Sequence, residues 1–142
     1  RVSLMKANQA KLKHKKSFIL AADTIVYARK KFFFKTEDAN IAFNNIKLLS
    51  GGRHTIYTGL TFINPKEEIK FYLSKTRIKF KKLDDEEIKQ YLVLEEWKNV
   101  AGSYAIQGYG SAFINFISGS YTSAIGLPLE KVYTIFRNHK IL

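Results

Sequence analysis

Apolar and polar positions along the chain predict alternating helices and strands. Residues 2 to 12 show a modest helical spacing, and one side of this helix is formed by Val2, Met5 and Gln9. Residues 18 to 27 are rich in apolar and β-branched side chains and predict a buried strand. The strand is interrupted by two polar residues, Asp23 and Thr24. This interruption is the first feature that needs an explanation.

A second helix is predicted after residue 36. Thr36 supplies a hydroxyl for the N-terminal cap, and the acidic residues at 37 and 38 suit the first turn. Apolar residues recur at helical spacing from 39 to 46, and Gly51 and Gly52 indicate where the helix ends.

Two strands follow, at residues 55–63 and 69–80, joined by a turn at residues 64–67. Basic side chains alternate in the second strand with the apolar Ile78 and Phe80, so one face of that strand is expected to be exposed to solvent.

The last third of the chain begins with a capping-box pattern, Asp84 and Glu87, which predicts a third helix whose apolar face is Ile88, Tyr91 and Leu92. An irregular glycine-rich segment, a strand, a loop and a closing helix are expected at residues 101–110, 111–117, 119–128 and 129–137. The closing helix should bury Val132, Tyr133 and Phe136. No linker or repeat divides the chain, so we predict a single α/β or α+β domain over residues 1–142 with a mixed sheet.

Composition narrows the class of protein. Apolar residues make up 46% and charged residues 25%, as in ordinary globular domains. The chain has no cysteine, no long apolar stretch and no secretory signal, so we expect a cytoplasmic protein without a membrane partner. The net charge of +12 leaves a basic nucleic-acid-binding module open as an alternative. The basic run at residues 11–16 is more typical of a solvated helix end.

Few residues indicate chemistry by themselves. His14, His54 and His139 are too far apart for a histidine metal site and are expected at the surface or behind a site. Asp23 is different, because a carboxylate in an apolar strand is costly unless it is paired or bound to a cation. On chemistry alone, a structural and a functional role for Asp23 are equally good. Lys35 beside a helix start suits phosphate, and Gln107 in a glycine-rich loop suits a nucleobase edge, but each is a weak signal alone.

Taken in order, several segments resemble the Maf family. The segment Ala-Asp-Thr-Ile-Val at 22–26 is similar to its A-D-T-[IV]-V motif, and Leu-Ser-Gly at 49–51 with His54 and Thr58-Gly59 is similar to L-S-G-x-x-H-x-V-x-T-[GA]. The segment at 101–108 resembles A-G-A-Y-G-I-Q-G. Further similar segments lie at residues 1–7, 76–91, 119–121 and 126–129.

The resemblance implies a Maf/ITPase-like fold, a mixed twisted sheet flanked by helices. It also implies a nucleotide diphosphatase that hydrolyses nucleoside triphosphates to the monophosphate and pyrophosphate with a divalent cation, Mg²⁺ or Mn²⁺. The Asp-Thr and Ile-Gln-Gly pairing is similar to the branch that prefers dTTP and UTP, with modified nucleotides as a further expectation. A homodimer is also expected, and nucleic acid is not expected as a partner.

The same resemblance implies roles for individual residues. Asp23 corresponds to the general base and is also a candidate metal ligand. Lys6 and Lys35 correspond to lysines that contact the phosphates. Thr24 and Gln107 correspond to the positions that set base specificity.

Departures from the family pattern give a competing expectation. The opening strand and its S-x-S-P-R-R phosphate loop are not in the sequence, and a downstream glutamate near the metal is also missing. Thr36 replaces a proline, and Val100 replaces a lysine. We therefore expect an N-terminally truncated Maf-like domain. The alternative is a catalytically impaired homologue that binds only nucleotide or a protein partner.

Overall fold

The computed structural model describes residues 1–142. Five helices span Val2–Lys13 (α1), Ala39–Leu49 (α2), Asp85–Val93 (α3), Tyr121–Ile125 (α4) and Leu129–Asn138 (α5). Five strands span Ile19–Ala28 (β1), Lys31–Phe33 (β2), Arg53–Ile63 (β3), Ile69–Phe80 (β4) and Ile114–Ser118 (β5). Short 3₁₀ turns lie at Ala101–Ser103 and Tyr109–Phe113. No helix has both the length and the apolar character needed to cross a bilayer.

The strands form one sheet in the order β2-β1-β3-β4-β5. β1 and β2 pair antiparallel, with Val26 opposite Phe33, and β4 pairs antiparallel with β5 from Arg77 to Phe80. β3 and β4 are adjacent and joined by residues 64–68 alone, a connection too short for a parallel crossover, so they are antiparallel as well. The predicted α/β architecture, a sheet flanked by helices, is confirmed.

The chain packs into two compact units. The first comprises Arg1–Thr24, Tyr57–Lys75 and Ser120–Leu142, and the second comprises Ile25–Ile56 and Thr76–Gly119. Each of the three long strands β1, β3 and β4 therefore contributes residues to both units.

The core of the first unit joins α5 to β3. Leu60 and Phe62 from β3 are buried against Val132 and Ile135 from α5. These two helix residues are three apart and therefore share a face. Tyr133 lies on another face and is 54% exposed, so the prediction that it points inward is wrong.

Helix α1 is confirmed, but the side it buries is not the side formed by Val2, Met5 and Gln9 in the sequence prediction. The buried residues are Ser3 and Ala7, and Ala7 packs with Ile19 and Ile63. The Ser3 hydroxyl forms a hydrogen bond of 2.8 Å with the Thr61 hydroxyl. Small side chains allow the helix to approach β1 and β3 closely, which places the longer side chains of α1 in solvent.

The core of the second unit is aromatic. The ring of Phe80 makes edge contacts with Tyr104 and Phe113, at centroid distances of 4.7 and 5.8 Å, and Tyr91 contacts Phe113 at 5.0 Å. Tyr91 and Phe80 are almost fully buried. Edge contacts of this kind stabilise a fold beyond the burial of apolar area, so this cluster contributes to the stability of the unit.

Helix caps follow the sequence at α3 but not at α2. Asp84 and Glu87 form the predicted capping box. At α2 the cap is Asp38, whose carboxylate accepts hydrogen bonds from the backbone N–H groups of Asn40 and Ile41. The hydroxyl of Thr36 instead accepts the N–H of Asp38. The prediction of Thr36 as the cap is wrong, because Thr36 lies two residues before the cap position.

Three further boundaries differ from the sequence prediction. The short strand β2 was not predicted. The strand predicted from residue 111 begins at Ile114, because Tyr109–Phe113 forms a 3₁₀ turn first. The loop predicted at 119–128 contains α4, whose cap is the Ser120 hydroxyl, an acceptor for the N–H of Ser123.

Candidate active site

Asp23 and Lys6 form an ion pair in the first unit. The Lys6 Nζ donates to Asp23 Oδ1 at 2.6 Å and to the backbone oxygen of Ala22 at 3.3 Å. The Asp23 side chain is 17% exposed, and the Lys6 side chain is 47% exposed. The pair explains how a carboxylate is tolerated within the apolar strand β1, since a buried charge is costly unless it is paired.

Lys6 keeps hydrogen-bonding capacity beyond this pair. A lysine ammonium has three donors, and two of them are used by Asp23 and Ala22. The third N–H is on a half-exposed side chain, so an anion can reach it. The arrangement therefore combines a carboxylate that can accept a proton with a cation that can bind an oxyanion.

Thr24 lies next to Asp23 and joins a chain of hydroxyl groups. Its Oγ1 is 2.9 Å from Thr58 Oγ1, and Thr58 donates to the backbone oxygen of Ser123 at 2.7 Å. Thr58 is fully buried, whereas Thr24 is half-buried. The hydroxyl of Thr24 is thus the outer end of a polar chain that begins in the core.

Lys35 belongs to the second unit and is exposed between β2 and α2. The sequence suggested that it could act together with the positive end of a helix. The carboxylate of Asp38 already occupies two N–H groups at the start of α2 and adds a negative charge there. Two of the N–H groups at the start of α2 are therefore already occupied, and Lys35 adds its own positive charge just before them.

Gln107 also belongs to the second unit, at the exposed tip of an otherwise buried segment. Residues 102–106 before it are buried. Tyr91 Oη accepts the N–H of Ala105 at 2.9 Å, and Glu96 Oε1 accepts the N–H of Gly110 at 2.8 Å. The turn that presents Gln107 is held on both sides by side chains from α3 and the residues after it.

Glycine is required at one position of this turn. A Cβ on Gly110 would lie 2.8 Å from the backbone oxygen of Ala105, which cannot move without a shift of the turn. A Cβ on Gly108 would meet only the carboxylate end of Glu96, a flexible side chain that can move aside. Gly110 therefore has a packing role in the turn that presents Gln107.

His54 is buried in the second unit. Its Nε2 lies 2.6 Å from Tyr104 Oη, and its Nδ1 is buried without a hydrogen-bond partner. Burial lowers the pKa of His54 to about 4 and raises the pKa of the Tyr104 and Tyr91 hydroxyls. His54 is neutral at neutral pH and acts within the core. Alternation along β3 is the signal that could have shown this, because every second residue from 54 to 60 is buried.

The structure divides the predicted site residues between the two units. Lys6, Asp23 and Thr24 belong to the first, where Lys6 and Asp23 are in contact. Lys35 and Gln107 belong to the second. Thr58 was not predicted as part of a site, although the sequence placed it within a motif and the alternation of β3 marks it as buried.

Asp23 supplies one carboxylate, a ligand type that Mg²⁺ prefers. No group of three or more His, Asp or Glu side chains that could hold a metal ion is present. Mg²⁺ in nucleotide enzymes often takes only one or two protein carboxylates, with water and substrate phosphates as its other ligands. A single carboxylate at Asp23 is compatible with that pattern.

Comparison with known proteins decides the family. A model of the Maf family, described as Maf-like protein, matches residues 1–139. The chain belongs to the Maf family. The family resemblance of the sequence motifs is thereby confirmed.

Relatives in the Maf family have a stated activity. The chain is 41% identical over 119 residues to the dTTP/UTP pyrophosphatase of Chelativorans sp. (strain BNC1), covering 84% of this chain and 57% of that protein. It is 39% identical over 142 residues to the dTTP/UTP pyrophosphatases of Wolbachia sp. subsp. Drosophila simulans (strain wRi) and of Wolbachia pipientis wMel. These two matches cover 98% of this chain and 71% of each relative. The chain thus spans a little over half to about seven tenths of the relatives it matches.

Proposed function

We propose that this protein is a nucleoside triphosphate pyrophosphatase that converts dTTP and UTP to the monophosphate and pyrophosphate. The observation that supports this most directly is the contact of Lys6 with Asp23 in a chain of the Maf family, because it places a base and a cation side by side. The relatives' name, dTTP/UTP pyrophosphatase, supports the same substrate class.

In the proposed reaction, Asp23 is the general base. Its carboxylate accepts a proton from the water that attacks the α-phosphorus of the substrate, and the bond between the α-phosphorus and the bridging oxygen to the β-phosphate breaks. Pyrophosphate leaves with that bridging oxygen. Lys6, with its remaining N–H, binds a phosphate oxygen and stabilises the negative charge that grows in the transition state.

Lys35 is the second proposed phosphate contact. Its side chain is exposed just before α2, so an anion can reach it. Thr24 and Gln107 are the proposed base-specificity residues. A rigid turn suits Gln107 for this role, since a fixed donor and acceptor discriminate between bases better than a mobile side chain does.

A divalent cation, Mg²⁺ or Mn²⁺, is part of the proposal. Asp23 would be its protein ligand, and the cation would neutralise charge on the phosphates. We further propose that residues 1–142 are one Maf-like domain, supported by the family match across both units. A cytoplasmic location and a homodimer belong to the same proposal.

The test is release of pyrophosphate from dTTP or UTP in the presence of Mg²⁺ or Mn²⁺, compared with the variant Asp23→Asn. Asn keeps the shape of the side chain and removes the base. Asp85→Asn is a matched control, because Asp85 is exposed on α3 and its side chain contacts only Lys47. Turnover by the wild type and Asp85→Asn, but not by Asp23→Asn, is expected.

Two other outcomes have clear meanings. Turnover that is equal in the wild type and Asp23→Asn would contradict the role of Asp23. A rise in melting temperature with nucleotide, but no turnover, would favour a binding protein instead of an enzyme.

A further inference from the structure

The second unit exposes side chains on one face of its sheet. On the other face, the ring of Tyr104 packs against His54 of β3 and Phe80 of β4, and both are buried. Successive side chains of a strand point to opposite faces. Arg53, which precedes His54, and Lys79, which precedes Phe80, therefore point away from this buried layer. The exposed side is the open sheet face, and its main side chains are Tyr27, Phe32, Arg53, Arg77, Lys79 and Phe116.

The charge of the open sheet face is entirely positive. Arg53 and Arg77 are exposed and Lys79 is half-buried, and none of the three forms an ion pair. All acidic residues of the unit lie at 37–38, 84–87 and 95–96, outside the strands and on the helical side, where the ion pairs of the unit are formed. A polyanion can therefore neutralise the open face without displacing a protein carboxylate.

Aromatic rings lie at both edges of the open sheet face. Phe116 of β5 is directly opposite Lys79 and is 50% exposed. At the other edge, Phe32 of β2 is 48% exposed and pairs with Tyr27, whose ring lies 5.1 Å away. The neighbouring Val26 is buried on the helical side, so this aromatic pair belongs to the open face. Exposed rings beside cations are the pattern on which the bases of a single strand stack.

The width of the open sheet face also suits a chain of nucleotides. Strands β2 and β5 are four strand spacings apart, about 19 Å, which is room for several nucleotides. A duplex keeps its bases stacked inside, whereas a single strand presents base faces and phosphates together.

We propose that the open sheet face binds single-stranded nucleic acid. Arg53, Arg77 and Lys79 contact the phosphates, and bases stack on Phe116 and Phe32. This binding uses none of the residues assigned to nucleotide hydrolysis. It differs from the expectation drawn from the family resemblance, which included no nucleic acid partner, because the distribution of the +12 charge is visible only in the folded chain.

The test measures fluorescence anisotropy of labelled oligothymidylate and oligouridylate without a triphosphate, about 12 nucleotides long, within the site sizes of sheet-based binders. The wild type should bind them in a salt-sensitive manner and more tightly than a duplex of the same length. Excess UTP without Mg²⁺, at matched ionic strength, should not displace them.

Two charge reversals separate the open face from the net charge. Arg77→Glu should lower the affinity about tenfold and make it less dependent on salt, because a phosphate contact is lost and a repulsion is added. Lys89→Glu changes the net charge by the same amount and is the matched control, since Lys89 is exposed on α3 in the helical layer. Its affinity should change much less.

Substitutions of Phe116 test base stacking. Phe116→Leu keeps an apolar side chain and removes the ring, and it should lower the affinity about fivefold or more. Its salt dependence should be unchanged, because no charge is removed. Phe116→Tyr keeps a ring and should bind as the wild type does.

Several outcomes would overturn the inference. Equal losses for Arg77→Glu and Lys89→Glu would assign the binding to net charge alone, and an unchanged affinity of Phe116→Leu would exclude stacking. Displacement by UTP would place the strand in the nucleotide site, and equal binding of phosphatidylserine vesicles would indicate a general anion surface. If Arg77→Glu does not fold, Arg53→Glu replaces it with the same expectation.

Absence of oligonucleotide binding by the wild type would also overturn the inference. Pyrophosphate release by the same sample decides the proposed function separately, because the two activities use different residues.

Discussion

The two units use buried and half-buried polar groups in different ways. In the first unit, Asp23 and Thr24 have protein partners on one side and accessible space on the other. In the second unit, His54 and Tyr104 pair with each other beside Phe80, and the two residues are only 3% and 2% exposed. The first arrangement suits a ligand, and the second suits packing.

This difference gives a rule for separating function from structure in a new sequence. Asp23 and His54 both lie in family motifs. Only Asp23 interrupts an apolar strand in the sequence, because His54 stands between Arg53 and Thr55. The partners and the exposed fraction of each side chain separate the roles, and the following experiments test that separation.

Asp23→Asn should have the largest effect, on activity alone. Asp23 is the proposed general base, and loss of such a base lowers the rate by roughly 10²–10⁴-fold. Lys6 is 47% exposed and stays solvated when Asp23 is replaced, so the free energy of unfolding should change by no more than about 1 kcal/mol. Pyrophosphate release and urea unfolding on the same samples measure the two effects. A large loss of stability would show that Asp23 serves mainly to stabilise the fold, as His54 does.

Acidification should act on the second unit through His54. The pKa of His54 is about 4 in the folded protein, against 6.5 for the unfolded chain. The unfolded state therefore binds the proton more tightly, and stability that is present above pH 6.5 is lost as the pH falls towards 4. The full loss is about 3 kcal/mol. Urea unfolding at several pH values measures it.

His54→Phe is the control for this pH effect. The variant removes the titrating group and keeps an aromatic ring beside Phe80, so the part of the slope that His54 causes should disappear. An unchanged slope between pH 6.5 and 4 would assign the effect to other groups.

Gly110→Ala should destabilise the turn that presents Gln107. The added Cβ would lie 2.8 Å from the Ala105 oxygen and 3.2 Å from Tyr91 Oη, so the backbone must shift. Overpacking of this kind costs about 2 kcal/mol. Gly52→Ala is a matched control, because its Cβ would meet no atom closer than 3.7 Å. Thermal unfolding compares the two, and equal melting temperatures would contradict the rigid turn.

Two buried serines provide the smallest and most direct comparison. Ser103 in the second unit accepts a hydrogen bond from Asn45 at 3.0 Å, so Ser103→Ala leaves a buried amide unpaired and should cost about 1–2 kcal/mol. The Ser123 hydroxyl in the first unit is buried without a partner. Ser123→Ala should be neutral or stabilise by up to about 1 kcal/mol. A larger loss of stability for Ser123→Ala than for Ser103→Ala would contradict these hydrogen-bond assignments.

Most of the fold follows from periodicity. β4 matches its predicted bounds, and α1, α2, α3, α5, β1 and β3 lie within a few residues of theirs. The elements that the sequence did not predict are the shortest ones. β2 has only three residues, and α4 has five. Such elements depend on their neighbours in space and leave little pattern in the sequence.

The sequence named the members of the candidate site one at a time but not their arrangement. The cost of burying a carboxylate pointed to Asp23, yet its pairing with Lys6 depends on how α1 packs, and the sequence indicated the wrong side of α1. The hydroxyls of Thr24 and Thr58 and the backbone oxygen of Ser123 form one hydrogen-bonded chain although they are far apart in sequence. Only the folded chain brings such residues together.

The short pairing of β5 with β4 affects how the protein behaves at high concentration. Because β5 covers β4 only from Arg77 to Phe80, the earlier part of β4 has an edge without a neighbour in β5, and its exposed apolar side chains are Ile69, Phe71 and Leu73. Such edges promote association between molecules. The net charge of +12 opposes association by repulsion, and salt weakens that repulsion. Solutions of this protein should therefore stay clear longest at low ionic strength.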